Sequence, residues 1–157
     1  MADVQQRLDE LGIELPAVAA PVAAYVPAVR SGNLVFTSGQ LPFAGGELMA
    51  VGRVGDEVDV DTARDCARQC ALNALAAVQA EIGDLSRVVR VVKVVGFVAS
   101  SESFTSQPGV VNGASEVLGQ IFGAAGSHAR SAVGVVALPL GAPVEVEVVV
   151  EVADGRP

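Results

Sequence analysis

Tryptophan is absent, tyrosine occurs once and phenylalanine five times, so aromatic side chains make up only 4% of the 157 residues. Any core must therefore be filled by small and β-branched groups, and much of the 51% hydrophobic fraction is Ala and Val. Histidine occurs once, at His128, and cysteine twice, at Cys66 and Cys70. That set falls short of a four-ligand metal site, and neither a metal nor another cofactor is expected. The cysteines are spaced i, i+4, on one face of a helix, and CxxxC differs from the CxxC of a thiol–disulfide catalyst. They read as small core residues. Ten basic residues stand against eighteen acidic ones, for a net charge of −8. Nucleic-acid binding draws most of its affinity from clustered Lys and Arg. Here the basic residues are dispersed, so nucleic acid is not an expected partner. No run approaches the length of an uncharged apolar membrane span. The opening MADVQQRLDELG is charged and lacks the apolar segment of a secretory leader, which makes the cytoplasm the expected location. No P-loop is present, and the glycines of 119–126 are spaced as a helix end rather than a phosphate cradle. No Ser-His-Asp constellation stands out, and His128 reads as a loop or rim residue without an acid partner.

What is present is a run of clear elements. Residues 3–11 have Val4, Leu8 and Leu11 at helical spacing, Asp3 as a cap and Gly12 as a stop. A Pro/Ala-rich arm follows over 13–24, extended where Pro21 forbids helix. Residues 1–21 are accordingly set apart as helix and arm, 22–153 as one domain and 154–157 as a tail. Tyr25–Val29 and Leu34–Ser38 predict two strands around a turn at Arg30–Asn33, and Gly45-Gly46 marks a second turn before a short strand near Leu48. Residues 61–82 predict the clearest helix, with Asp61 as N-cap, Asp59 as its rival, an apolar stripe through Cys66 and Cys70, and Gly83 as the stop. Val88–Val98 predicts a strand whose Gly96 signals a bulge or a close backbone approach. A second long helix takes Pro108 in its first turn and stops at Gly123. Arg130–Ala137 and Val144–Val152 predict the last two strands, with Val144, Val146, Val148, Val150 and Val152 on one face and Glu145, Glu147, Val149 and Glu151 on the other.

The order is ββ(β)αβαββ. Two long helices can cover one face of a mixed sheet, and the other face must be solvated or met by another subunit. Val-rich strands with only one face covered favour an oligomer.

Three stretches carry a resemblance. The first runs from Tyr25-Val26 through Asn33-Leu34 to Thr37-Ser38-Gly39-Gln40-Leu41-Pro42. The second ends in Val92–Val98 and is followed by Asn112. The third is Ala129-Arg130-Ser131 with Leu138-Pro139 and Val144-Glu145-Val146-Glu147. Together, and in this order over about residues 22–152, they resemble the RidA (YjgF/YER057c/UK114) family, in a longer branch. The resemblance implies an α+β, chorismate-mutase-like fold and a homotrimer whose sheets form a barrel with clefts between neighbours. It also implies hydrolytic deamination of reactive enamines and imines of the 2-aminoacrylate type.

Carried over residue by residue, the resemblance makes Arg130 and Glu145 the catalytic pair. Tyr25, Ser38, Gly39, Asn112 and Ala132 become substrate-binding positions. A guanidinium presents a planar fork matched to a carboxylate, which a 2-imino acid carries beside its electrophilic carbon. A carboxylate such as Glu145 can orient water and accept its proton. The plainer alternatives are a surface Arg paired with an acid, and a solvated Glu like Glu147 and Glu151. Ala132 departs from the Cys common in deaminating relatives, which keeps the backbone carbonyl and puts substrate preference in doubt. Two other functions stay open: a non-catalytic trimer that binds small carboxylates, and an endoribonuclease, against which the acidic charge weighs.

Overall fold

The computed structural model describes residues 3–18 and 23–154. The boundary expected between residues 21 and 22, the part of the arm at 19–22 and the tail beyond Asp154 lie outside the described residues.

Helix α1 spans Val4–Glu10, with the Asp3 carboxylate accepting the Gln5 N–H at 3.2 Å. Gly12 turns the chain at φ +65°, and Leu8 and Ile13 are buried in the same core as the sheet. Strands β1 (Ala28–Ser31) and β2 (Leu34–Thr37) form a tighter hairpin than the pattern predicts. Ser31 lies opposite Leu34, so the turn is Gly32-Asn33 alone and Gly32 takes φ +60°, a left-handed conformation that suits glycine at the first turn position. The first strand begins three residues later than Tyr25. Pro27 has no N–H to offer a ladder, and its carbonyl instead accepts the Ser38 N–H at 2.8 Å. Strands β3 (Phe43–Ala44) and β4 (Glu47–Leu48) make a small separate hairpin around Gly45-Gly46.

Helix α2 spans Val60–Ile82. Its N-cap is Asp59 rather than Asp61. The Asp59 carboxylate accepts the Thr62 N–H at 2.7 Å, and this bond holds its carboxyl below the usual range. Asp61 occupies the first turn instead, where a negative charge meets the positive end of the helix. Strand β5 (Val88–Ala99), helix α3 (Gln107–Phe122), strand β6 (Ala129–Val135) and strand β7 (Val144–Val152) complete the chain. β6 starts one residue earlier and ends two residues sooner than predicted. β5 stops at Ala99, opposite Val135, so Val136 and Ala137 have no strand to pair with.

The sheet order is β1-β2-β7-β5-β6, antiparallel throughout except for the parallel β5–β6 pair at one edge. In β7 every second residue, from Val144 to Val152, is buried, as the alternation predicts. α2 and α3 cover that face. Gly96 is there for close approach: a Cβ on it would collide with the Val111 side chain of α3, while the register shifts of β5 lie nearer its start. Gly113 does the same between helices, since a Cβ there would run into the Arg64 carbonyl of α2. The uncovered face carries Glu145, Glu147 and Glu151, with Val29, Phe36 and Val133 exposed among them. This is the expected α+β arrangement, one mixed sheet with its long helices on one side.

Candidate functional site

The predicted residues form two groups. In the first, Arg130 projects from β6 toward α3. Its Nη1 donates to Asn112 Oδ1 at 2.8 Å and to Ser115 Oγ at 3.1 Å, and its Nη2 makes a long 3.5 Å contact with the Pro108 carbonyl. All three partners lie on α3, and Asn112 and Ser115 stand i, i+3, one above the other on a helix face. Nη1 carries two hydrogens and both are engaged. No acceptor among the described residues bonds Nε. Ala132 lies two residues along β6 on the same face, opposite Gly96 and partly buried against the core.

His128, read from the sequence as a rim residue, is tied into this group. Its Nδ1 lies 2.6 Å from the Gly126 carbonyl oxygen and its Nε2 lies 2.8 Å from Ser115 Oγ. A carbonyl can only accept, so Nδ1 carries the proton. In the neutral ring Nε2 then accepts the Ser115 hydroxyl hydrogen, which leaves the Ser115 oxygen to accept from Arg130. Ser115 was not legible as a site residue. The available signal was its spacing of three from Asn112, together with the position of His128 two residues before Arg130.

The second group is Tyr25, Ser38, Gly39 and Glu145. Ser38 donates its hydroxyl to the Val26 carbonyl at 2.6 Å, tying the end of β2 to the segment that carries Tyr25. Tyr25 is half exposed. Gly39 faces Glu145 so closely that a Cβ would lie 2.7 Å from Oε1. Glu145 is partly buried, and burial first, then the nearby Glu147 charge, push its carboxyl above the usual carboxylate range.

One chain does not bring the two groups together. Arg130 points to the helix-covered face from edge strand β6, whereas Glu145 points to the opposite face from central strand β7. Tyr25 precedes β1, the other edge of the sheet. Among the described residues, one concavity lies between α2 and α3 beside Arg64, Arg68 and Glu116, and another beside Arg90, His128 and Glu151. Neither is lined by Arg130, Tyr25 or Glu145.

Other chemistry has little to work with. Cys66 and Cys70 are fully buried, and burial pushes the Cys66 thiol up to about 11. No group of three or more His, Cys, Asp or Glu among the described residues is placed to hold a metal. No helix among them is long and apolar enough to cross a membrane.

Comparison with known proteins bears on the family and the fold. Residues 5–152 match the family model described as "YjgF/chorismate_mutase-like, putative endoribonuclease". The chain is similar to Protein TCP17 of Trypanosoma cruzi, with 48% identity over 94% of this chain and 93% of that protein. Among solved structures it is similar to Atu1372 of Agrobacterium tumefaciens, 46% identical with a TM-score of 0.89 over 96% of this chain and 92% of that one. It is also similar to RidA from the Antarctic bacterium Psychrobacter sp. PAMC 21119, 33% identical with a TM-score of 0.58 over 87% and 94% of the two chains. A family-model match over nearly the whole chain, joined to a relative 48% identical over 94% of it, makes this protein a member of the YjgF/RidA family.

Proposed function

We propose that the protein is a hydrolytic deaminase of small reactive enamines and imines of the 2-aminoacrylate and 2-imino acid type, working as a homotrimer. The observation that carries the reading is the state of Arg130. Its Nη1 is fixed by Asn112 and Ser115, and its Nε–Nη2 edge has only one long contact. That edge carries two parallel N–H donors, the arrangement a carboxylate accepts in bidentate fashion. A clamped carboxylate holds the adjacent C=N carbon in one place for attack by water.

Glu145 is the group to activate that water. Burial raises its affinity for a proton, which suits a group that must take one from water and return it. On the protonated imine, water loses one proton to Glu145 as its oxygen bonds to the imine carbon, and the C=N electron pair passes to nitrogen to give the amino alcohol. Glu145 then hands that proton to the nitrogen, the C–N bond breaks to release ammonia, and the hydroxyl proton returns to Glu145 as C=O forms, leaving the 2-oxo acid. Because Arg130 and Glu145 lie on opposite faces of one sheet, the productive site takes the Arg130 group from one subunit and the Tyr25–Ser38–Gly39–Glu145 group from its neighbour. The uncovered sheet face, with exposed Val29, Phe36 and Val133, supports an assembly of this kind.

RNA cleavage, the activity in the family description, has less support here, because the net charge of −8 comes without a basic stripe. A coupled assay with 2-aminoacrylate tests the proposal. Turnover to pyruvate and ammonia is expected from the wild type and its loss from Arg130→Ala. Carboxylate binding without turnover would instead make the protein a ligand-binding trimer.

A further inference from the structure

We infer that Ser115 and His128 form a positioning relay that sets the orientation of Arg130, and so decides which edge of its guanidinium a carboxylate meets. This rests on the carboxylate-clamp reading for its consequence in binding, but the relay itself is a matter of hydrogen-bond direction. The Gly126 carbonyl fixes the proton of His128 on Nδ1. Nε2 is then the acceptor for the Ser115 hydroxyl. With its hydrogen committed, Ser115 Oγ offers Arg130 only lone pairs, and Nη1 donates into them. Asn112 Oδ1 takes the other Nη1 hydrogen. A guanidinium is planar, so fixing both hydrogens of one terminal nitrogen fixes the whole group. The edge left for ligand is Nε–Nη2, a side-on approach.

Two substitutions separate the relay from simple packing. Gln at 128 keeps an acceptor near the Nε2 position, whereas Asn keeps a donor near Nδ1 and loses the reach to Ser115. Pyruvate affinity, measured by calorimetry, is expected to stay within about twofold of wild type in His128→Gln and to fall about tenfold in His128→Asn and Ser115→Ala, the size of one lost hydrogen bond. The Ser115→Ala/His128→Asn double variant should be no weaker than Ser115→Ala alone, since His128 acts through Ser115. A ligand-free readout keeps the relay distinct from the clamp. In ¹⁵N NMR, wild-type His128 should be the Nδ1–H tautomer, and Arg130 should show slow guanidinium rotation that speeds up in Ser115→Ala and His128→Asn but not in His128→Gln. An Nε2–H tautomer, or rotation equally slow in every variant, overturns the relay whether or not pyruvate binds. Slow rotation in the wild type, released as described, with no pyruvate bound at all, upholds the relay and sinks the clamp.

Discussion

The two faces of the sheet hold the two residues of the proposed site by different means. On the helix side, Arg130 is kept by side chains: Asn112, Ser115 and, through Ser115, His128. On the open side, Glu145 is kept by shape: it lies against a glycine, with no hydrogen bond to its carboxylate among the described residues, and burial raises its affinity for a proton. A permanent cation can be pinned by acceptors without losing its charge. A base has to stay free to gain and lose a proton, so bonds to its carboxylate would lower that affinity and defeat the purpose. On the proposed reading, the difference gives orientation to one half and proton affinity to the other.

Removing the base should give the largest effect. Glu145→Gln is expected to lower kcat on 2-aminoacrylate by ~10²-fold while pyruvate affinity changes little, because a general base acts chiefly in the transition state. Equal kcat in the variant and wild type would take Glu145 out of the mechanism.

Mixing the halves attacks the comparison directly. If each site draws on two subunits, trimers assembled from equal amounts of Arg130→Ala and Glu145→Gln chains regain intact sites at about a quarter of interfaces, by chance placement in a closed ring. Activity of co-expressed chains should therefore rise from the floor of either variant to roughly that fraction of wild type. Activity that stays on the floor would put both residues in one subunit's site. Light scattering on the same preparations should give about three chain masses.

A smaller effect is expected from Arg130→Lys, which keeps the charge and loses the fork. Pyruvate affinity should drop at least about tenfold, the difference between a bidentate charge-assisted pair and a single contact, with the trimer intact. Binding equal to wild type would show that the guanidinium shape is irrelevant.

The smallest effect concerns stability. Because the folded protein raises the Glu145 carboxyl, its contribution to stability is fully present below the ordinary glutamate range and is lost as pH rises through the raised value. Above the raised value an ionised Glu145 opposes folding. Glu145→Gln should therefore raise Tm slightly at pH 7 and leave it unchanged near pH 3. A lower Tm at pH 7 would show that the ionised carboxylate stabilises the fold and would overturn this expectation.

Much of the scaffold was legible because its periods are simple. β7 runs over the predicted Val144–Val152, since five valines at spacing two leave no other face to bury. α2 differs from expectation at its cap: Asp59 and Asp61 are both good caps by type, and only the backbone decides that Thr62 N–H meets Asp59. The first hairpin shifted because strand propensity at Tyr25 and Val26 says nothing of Pro27's missing donor. At the site, Arg130 and Glu145 stood out through family resemblance, but their separation across the sheet needed the topology. Ser115 and His128 escaped because a spacing of three from Asn112 and of two from Arg130 does not by itself mark a site. Only the crossing of α3 over β6 brings them to the arginine.

The two buried thiols have a use of their own. Cys66 and Cys70 sit on the sheet-facing side of α2 with no solvent exposure, and the Cys70 thiol lies 3.7 Å from the Val144 carbonyl at the start of β7. Alkylation requires thiolate in contact with reagent, and here burial suppresses both. The native protein is thus a closed box with a recorder inside: a thiol reagent can write on it only while α2 lifts from the sheet. The pace of labelling reads the frequency of that opening without denaturant, and a ligand that ties neighbouring chains together should slow it.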